Sequence, residues 1–465
     1  MRFRPDSALL PQSRIPMTPF TAAENSADKF TKGVSGHPRL AGWSFARNIA
    51  ILGGGTALAQ SFNVLLAPVL TRLYLPDSLG QFALFACFLN VCMVGISLRY
   101  ELGIVAAPTE QKAAQLAFAA FLFSLPVSIF SAGVLFLSIH FSLLGFNTLP
   151  SYTPVLMVPA LVLVAAFCAL RYWLVRQEQF RGVSQATVAQ NGARSISQVV
   201  LGAFGGRLEG LLAGELIGRS AGMTRMFRAA GPKIRAYVFP PDRQSLSEVL
   251  WENRQFPLYS LPSSLLDSLA ANLSVPLLVR YYGVDAGGYF ALVQRVLAVP
   301  LVLVSASVAD AFHGRLALYV RGTPDRVAAL FQRTSAVLVV LGAIPTILLM
   351  LYGEPIFRVF FGSRWTVAGN LAAATAPLFL AQFVVTPLSR LVFVLEGQRL
   401  KLVYDVLALT SMIGVFVFSA WRQLSLVAAI TLLSATGTLT FMAYYLVLLR
   451  IVAKHRRSLQ ASDVG

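Results

Sequence analysis

Apolar runs of about twenty residues or more recur along the chain, separated by short polar connections. They fall at 46–71, 80–99, 113–138, 153–175, 183–204, 209–228, 256–280, 286–312, 327–351, 366–394, 399–419 and 424–450. A helix of ~20 residues crosses the hydrocarbon core of a bilayer. In lipid each backbone polar group must be satisfied within its own segment, so the pattern predicts an all-α, polytopic membrane protein of about twelve transmembrane helices. Several runs also contain Arg, Asn or Gln, so those helices face one another or a wet path rather than lipid all round. Gly53-Gly54-Gly55 lies in the first run, and Pro126, Pro300, Pro345, Pro377 and Pro387 interrupt later ones, where kinks are expected.

Charge orients the runs. All six lysines (Lys29, Lys32, Lys112, Lys233, Lys401 and Lys454) fall in connections or tails on one side. The opposite connections carry only Arg72, Arg207, Arg280, Arg358, Arg364 and Arg422. By the positive-inside rule the lysine-bearing side is cytoplasmic, and an even number of spans puts both termini there. The expected organisation is a cytoplasmic N-terminal tail (1–45), a six-helix lobe (46–228), a cytoplasmic linker (229–255), a second six-helix lobe (256–450) and a cytoplasmic C-terminal tail (451–465). Residues 246–258 of the linker can lie along the membrane surface. No cleavable signal peptide is expected, because the first 45 residues lack an apolar core followed by a cleavage signal.

Composition agrees with this reading. Charged residues make up 12% of the chain, about half the share in soluble domains, and apolar residues 56%. The net charge of +18 sits in clusters between apolar runs rather than in a stripe, so no nucleic-acid partner is expected. Cys87, Cys92 and Cys168 lie in apolar stretches without ligand spacing and read as small buried hydrophobes.

The two halves resemble each other. At an offset of 208, residues 68–84 (PVLTRLYLPDSLGQFAL) and 276–292 (PLLVRYYGVDAGGYFAL) share Pro68/Pro276, Leu70/Leu278, Arg72/Arg280, Tyr74/Tyr282, Asp77/Asp285, Gly80/Gly288, Phe82/Phe290, Ala83/Ala291 and Leu84/Leu292. Six spans separate the copies, so both face the same side. That predicts parallel repeats related by a pseudo-two-fold axis along the membrane normal, with a path between the lobes. Arg72 and Arg280 read as structural anchors in the outer interface, Tyr74 and Tyr282 as members of the aromatic belt, and Asp77 and Asp285 as helix caps.

No enzyme constellation is expected: HExxH and Walker A patterns are missing, and His37, His140, His313 and His455 join no ligand cluster. Neither a catalytic residue, a cofactor nor a metal is expected. The chemistry lies in ionisable residues at bilayer depth, each costing at least ~2.5–3.5 kcal/mol on insertion scales. Arg194, Arg219 and Arg295 are too deep to snorkel, and either line a cavity or pair with acids. Glu215 can pair with Arg219 four residues on, and Asp267 with Arg194 or Arg295. Arg333 and Arg390 lie nearer the cytoplasmic side and are weaker candidates for the cavity. Gln60, Asn63, Asn90, Gln190, Asn191 and Gln294 could bind hydroxyl-rich groups. Deep arginines outnumbering deep acids point to an anionic substrate, since guanidinium matches phosphate.

The segments APVLTRLYLPDSLGQFALF (67–85), LRYELGIVAAP (98–108), GEPIFRVFFGSRWTVAG (353–369) and TPLSRLVFVLEGQRLKLVYDVL (386–407) resemble the polysaccharide-transporter family. This family comprises oligosaccharide flippases of lipopolysaccharide and exopolysaccharide biosynthesis, within the multidrug/oligosaccharidyl-lipid/polysaccharide exporter superfamily. The resemblance covers roughly residues 45–450. It implies two six-helix lobes around a cationic lumen in the bacterial inner membrane, and alternating access that carries a polyprenyl-pyrophosphate-linked oligosaccharide outward. Polysaccharide polymerase and other assembly proteins are the implied partners. Arg99 and Glu101 match the family's RYE segment and are expected to gate or brace the inner opening. The rival within the superfamily is a multidrug/toxin extruder, which would want a buried acid in the first lobe; the first span contains no Asp or Glu. The other alternative is a non-transporting membrane component of polysaccharide assembly.

Overall fold

The computed structural model describes residues 53–238, 243–323, 326–394 and 398–462. The expected tail at 1–45 lies outside them. All regular structure among the described residues is helical. The first helix, α1, covers 53–65, and a single-residue turn at Leu66 separates it from α2 (Ala67–Leu73). Then come α3 (Pro76–Gly95), α4 (Glu101–Ala106), α5 (Glu110–His140), α6 (Thr153–Arg176), α7 (Phe180–Ala203), α8 (Leu208–Val238) and α9 (Arg243–Glu252). The second half holds α10 (Leu261–Asn272), α11 (Ser274–Tyr282), α12 (Val284–Pro300), α13 (Ala306–Gly322), α14 (Arg326–Phe361), α15 (Thr366–Leu388), α16 (Leu391–Val394), α17 (Gln398–Trp421) and α18 (Leu426–Ser462).

Seven helical segments are long and apolar enough to cross a membrane: Pro76–Gly95, Glu110–His140, Thr153–Arg176, Arg326–Phe361, Ser363–Leu388, Val403–Trp421 and Leu426–His455. The protein is therefore a multi-pass membrane protein. The remaining expected spans are helical as well, but they are polar (α7, α8) or broken (α1–α2, α10–α11, α12–α13). Their breaks have local causes. Pro300 ends α12, and a turn of π-helix at Leu301–Ser305 follows; a second, Phe256–Ser260, precedes α10. A non-helical residue, Tyr352, interrupts α14 just before Gly353 and Pro355. Within the lipid-depth helices, hydroxyls bond back to their own backbone, as Thr346 does to the Gly342 carbonyl and Thr375 to that of Leu371. That satisfies each hydroxyl without water.

Two helices run on past the apolar runs, into the expected linker and the expected C-terminal tail. The segment 229–255 is not a plain connection, because α8 runs ten residues past the sixth apolar run and α9 occupies 243–252. Helix geometry continues beyond the point where apolar character stops. For the same reason α18 extends through Ser462 into the expected C-terminal tail.

The cores show how the halves meet. One cluster contains residues from both halves, among them Leu70, Leu84, Val279, Leu292 and Trp365. Two further clusters stay within single halves. One gathers Tyr100, Trp173 and Val249, the other Phe312, Phe383 and Leu448. The shared core lies at the end of the molecule away from the lysine-bearing connections, here called the far end; the opposite end is the basic end.

At the far end the sequence repeat becomes a physical one. A Cβ on Gly80 would stand 2.1 Å from the Val284 carbonyl oxygen, and one on Gly288 would stand 2.1 Å from that of Pro76. Residues 76 and 284, like 80 and 288, are repeat mates, so α3 and α12 cross with two-fold reciprocity. Two connections latch across this crossing. The fully buried Trp365 donates from Nε1 to the Thr71 carbonyl at 2.9 Å, and Gly145, at φ +79°, packs on Val279.

The repeat residues take other roles than the belt and caps expected of them. Tyr74 is 2% exposed, and its hydroxyl donates to the Gln198 carbonyl at 2.7 Å. It is an internal strut, seated against Gly202 and Gly210. The N-cap positions belong to Leu75 and Gly283, while Asp77 and Asp285 stand in the first turns, where a carboxylate favours the helix N-terminus. Arg72 and Arg280 occupy the last turns of α2 and α11, both exposed, where cations suit the carbonyl ends.

Along one seam the halves are joined by polar contacts between α10 and the N-terminal half. Asn90 Nδ2 donates to Asn272 Oδ1 at 3.2 Å, and Ser268 Oγ to the Asn90 carbonyl at 3.3 Å. Nearer the basic end, Arg99 Nη2 donates to Ser264 Oγ.

Candidate functional site

The site begins with a stripe of glycines. Gly210, Gly214, Gly218 and Gly222 recur every fourth residue on α8, so they share one face. A Cβ on Gly218 would lie 2.5 Å from the Arg194 Cβ, one on Gly214 2.4 Å from the Gln198 Cγ, and one on Gly222 2.8 Å from the Gln190 Cβ. Without side chains there, α7 and α8 approach closely, as small residues permit in membranes. Sequence reasoning overlooked this stripe, although its four-residue spacing was legible.

That approach assembles a polar network from three helices. Glu215 is 5% exposed at its side chain and takes Arg219 Nη2 on Oε1 at 2.6 Å and Arg194 Nη1 on Oε2 at 3.5 Å. Arg194 Nη2 also donates to Asn63 Oδ1 on α1 at 2.6 Å and to Asn191 Oδ1 at 2.9 Å. Asn63 returns its amide to Gln60 Oε1 at 3.0 Å. Gly55, whose added Cβ would collide with Ser184, lets α1 come this close to α7. One carboxylate thus serves two guanidiniums, and the network retains a net positive charge. Arg219 Nε is buried and has no hydrogen-bond partner.

Arg295 stands on α12 within electrostatic reach of Arg194 and Glu215. Among the described residues it makes neither an ion pair nor a hydrogen bond. It lines a cavity of about 200 Å³ between the halves, together with Thr71, Cys87, Asn90, Asn272 and Gln294. Gln294 also borders a cavity of about 250 Å³ that reaches Thr375 and Gln382. Cys87 and Asn272 are shared with an apolar cavity of about 490 Å³ walled by α3, α5 and α10.

The structure therefore gathers Gln60, Asn63, Arg194, Glu215 and Arg219, and brings Arg295 near them. It leaves three expected members out. Asp267 is exposed on α10 and pairs with neither Arg194 nor Arg295, because Glu215 meets Arg194 across the α7–α8 hairpin. Arg390 is exposed in the turn between α15 and α16. Arg333 opens instead on a separate cavity at the basic end, with Arg315 and Arg326.

Arg99 and Glu101 form a brace. Glu101 is buried, accepts from Ser97 Oγ and lies 3.7 Å from Arg99 Nη1. Leu98 and Arg99 both hold positive φ (50° and 66°), a strained geometry for non-glycine residues. The turn so formed aims Arg99 across the seam at Ser264 of the other half.

Replacing Glu215 by alanine removes the one acid from two buried cations. Breaking such a pair costs ~3–5 kcal/mol. The expected result is a clear fall in the thermal midpoint of the purified protein in detergent, with Glu215→Gln intermediate.

This helix arrangement is that of the MOP-superfamily transporters. A solved inward-facing multidrug resistance MATE family transporter superposes with a TM-score of 0.65 at 14% identity, covering 86% of this chain and 96% of that one. Lipid II flippase MurJ in an inward closed conformation gives 0.64 at 13% identity, covering 89% and 92%. A MOP superfamily transporter from Pyrococcus furiosus, described as having a binding pocket of reverse polarity, gives 0.57 at 14%, covering 88% and 96%. Identities this low establish shared fold. No curated protein matches the chain at a significant level. Residues 69–369 match the polysaccharide biosynthesis protein family, and the chain belongs to it.

Proposed function

We propose that this protein is a flippase that moves a polyprenyl-pyrophosphate-linked oligosaccharide from the cytoplasmic to the outer leaflet of a bacterial inner membrane, for assembly of O-antigen or exopolysaccharide. The observation that carries the reading is Arg295: a cation that makes no ion pair or hydrogen bond among the described residues and lines an inter-half cavity, near two arginines that share one acid. A pyrophosphate cannot cross hydrocarbon with its hydration shell lost and nothing in its place. Guanidiniums replace that shell with charge-assisted hydrogen bonds. Asn90, Asn272 and Gln294 offer amides to sugar hydroxyls. The apolar cavity joined to the crevice through Cys87 and Asn272 offers the chain a wall. This is the chemistry of transport rather than of catalysis.

With the basic end taken as cytoplasmic, the shared core and the Trp365 latch close the outer end. The crossing at Gly80 and Gly288 is then the pivot about which the halves rock. The membrane potential, negative inside, favours outward movement of an anion by up to ~2.3 kcal/mol per charge per 100 mV. A multidrug extruder of cations is the competing reading, and Glu215 argues against it, since two arginines already neutralise that acid.

Glutamine substitution of Arg295, which leaves the Glu215 pairs in place, separates the two in cells lacking the native copy. The flippase reading expects surface polysaccharide to be lost while protein levels hold. Normal polymer accompanied by lost drug resistance would establish the extruder.

A further inference from the structure

The basic end of the C-terminal half holds a second cationic site that the transport path does not use. Helices α13 and α14 follow one another in the chain, and their facing sides leave a cavity of about 640 Å³. Arg315 and Tyr319 lie one turn apart on α13, and Arg326 and Arg333 two turns apart on α14, all lining this space. Farther from the connection between the two helices, toward the membrane interior, the wall becomes apolar: Phe312 and Val308 on one side, Val337 on the other. The cavity therefore has a cationic mouth and an apolar floor.

The contrast with the N-terminal half is informative. There three of the basic residues near the same end meet acids: Arg99 meets Glu101, Lys112 meets Glu252 at 2.7 Å, and Arg176 meets Glu110 at 3.1 Å. Among the described residues Arg315, Arg326 and Arg333 have no carboxylate and no hydrogen-bond partner. All three are exposed, and all three border the same space.

We propose that this cavity binds the phosphate head of a lipid, with the phosphate oxygens among Arg315, Arg326 and Arg333 and the start of the apolar chain along Phe312 and Val337. Guanidinium forks match phosphate oxygens in geometry and charge. The ligand chemistry is phosphate on an apolar chain, and it has two sources: a phospholipid of the bilayer or a polyprenyl pyrophosphate awaiting transport. The proposal stands apart from the role of Arg295, and its failure leaves that role untouched.

The test is titration of the full-length protein in detergent with phosphatidylglycerol, polyprenyl pyrophosphate and inorganic pyrophosphate. The triple substitution R315Q/R326Q/R333Q is expected to weaken lipid binding at least about tenfold. Ala329→Trp, which fills the cavity and keeps all three charges, is expected to weaken it similarly. Inorganic pyrophosphate, lacking the chain, is expected to bind at least about tenfold more weakly than the pyrophosphate lipid. Tighter binding of polyprenyl pyrophosphate than of phosphatidylglycerol identifies the site as a loading station, and the reverse order as a phospholipid site. Unchanged lipid affinity in both variants, or binding lost in Arg295→Gln but kept in the triple variant, overturns the proposal.

Discussion

Arg295→Gln is expected to lower transport about 10–100-fold and to leave the helix bundle intact. Among the described residues Arg295 makes no ion pair or hydrogen bond, and it feels Glu215 only at a distance, so the substitution breaks no direct polar contact. It removes a charge held at depth without compensation, and the thermal midpoint stays level or rises. Transport suffers because the pyrophosphate loses a charge-assisted partner at the point where the halves meet. Such a bond is worth ~1.5–3 kcal/mol, a loss of about 10–100-fold. Arg194 and Arg219 cannot make up the loss, since both are tied to Glu215. The signature is a split between activity and stability, read from transport rate and thermal unfolding on the same preparation. Glu215→Ala is expected to show the opposite emphasis.

Gly80→Ala and Gly288→Ala are each expected to destabilise the protein by about 1–3 kcal/mol or more, the usual cost of forcing atoms into a packed contact. Each new methyl meets a backbone carbonyl, at 2.1 Å, which no rotamer change relieves. The reciprocity of the contact adds a stricter expectation. Either methyl pushes α3 and α12 apart, and that separation makes room for the other. The double variant should therefore cost less than the sum of the singles, as expected for coupled sites. Additive losses, measured by thermal or denaturant unfolding in detergent, would mean that the two glycines do not share one crossing.

The repeat was legible because its residues have structural reasons to persist: Gly80 and Gly288 at the crossing, Arg72 and Arg280 at helix ends. The i,i+4 pairing of Glu215 with Arg219 was legible for the same reason, since helix geometry alone places them together. The pairing of Glu215 with Arg194 was not. It depends on the register between α7 and α8, set by a glycine stripe whose meaning appears only when the second helix is in place. Depth along a span could not separate Asp267 from Glu215 either, because depth does not give the direction a side chain faces. Tyr74 read as an interfacial aromatic from its position near a run end, and only packing against Gly202 and Gly210 reveals it as internal. The turns of π-helix have no hydrophobic period of their own, so two helices broken in space read as unbroken apolar runs.

The central claim is that an arginine-lined cavity between the halves carries an anionic, sugar-bearing lipid across the membrane. Its most direct test is flipping of a fluorescent polyprenyl-pyrophosphate-linked oligosaccharide in proteoliposomes containing the purified protein, compared with the Arg295→Gln variant at equal protein density. The account predicts flipping by the native protein, quickened by an imposed potential that favours anion movement, and a fall of at least about tenfold in the variant. Equal flipping by native and variant protein, or none above protein-free liposomes, would contradict it.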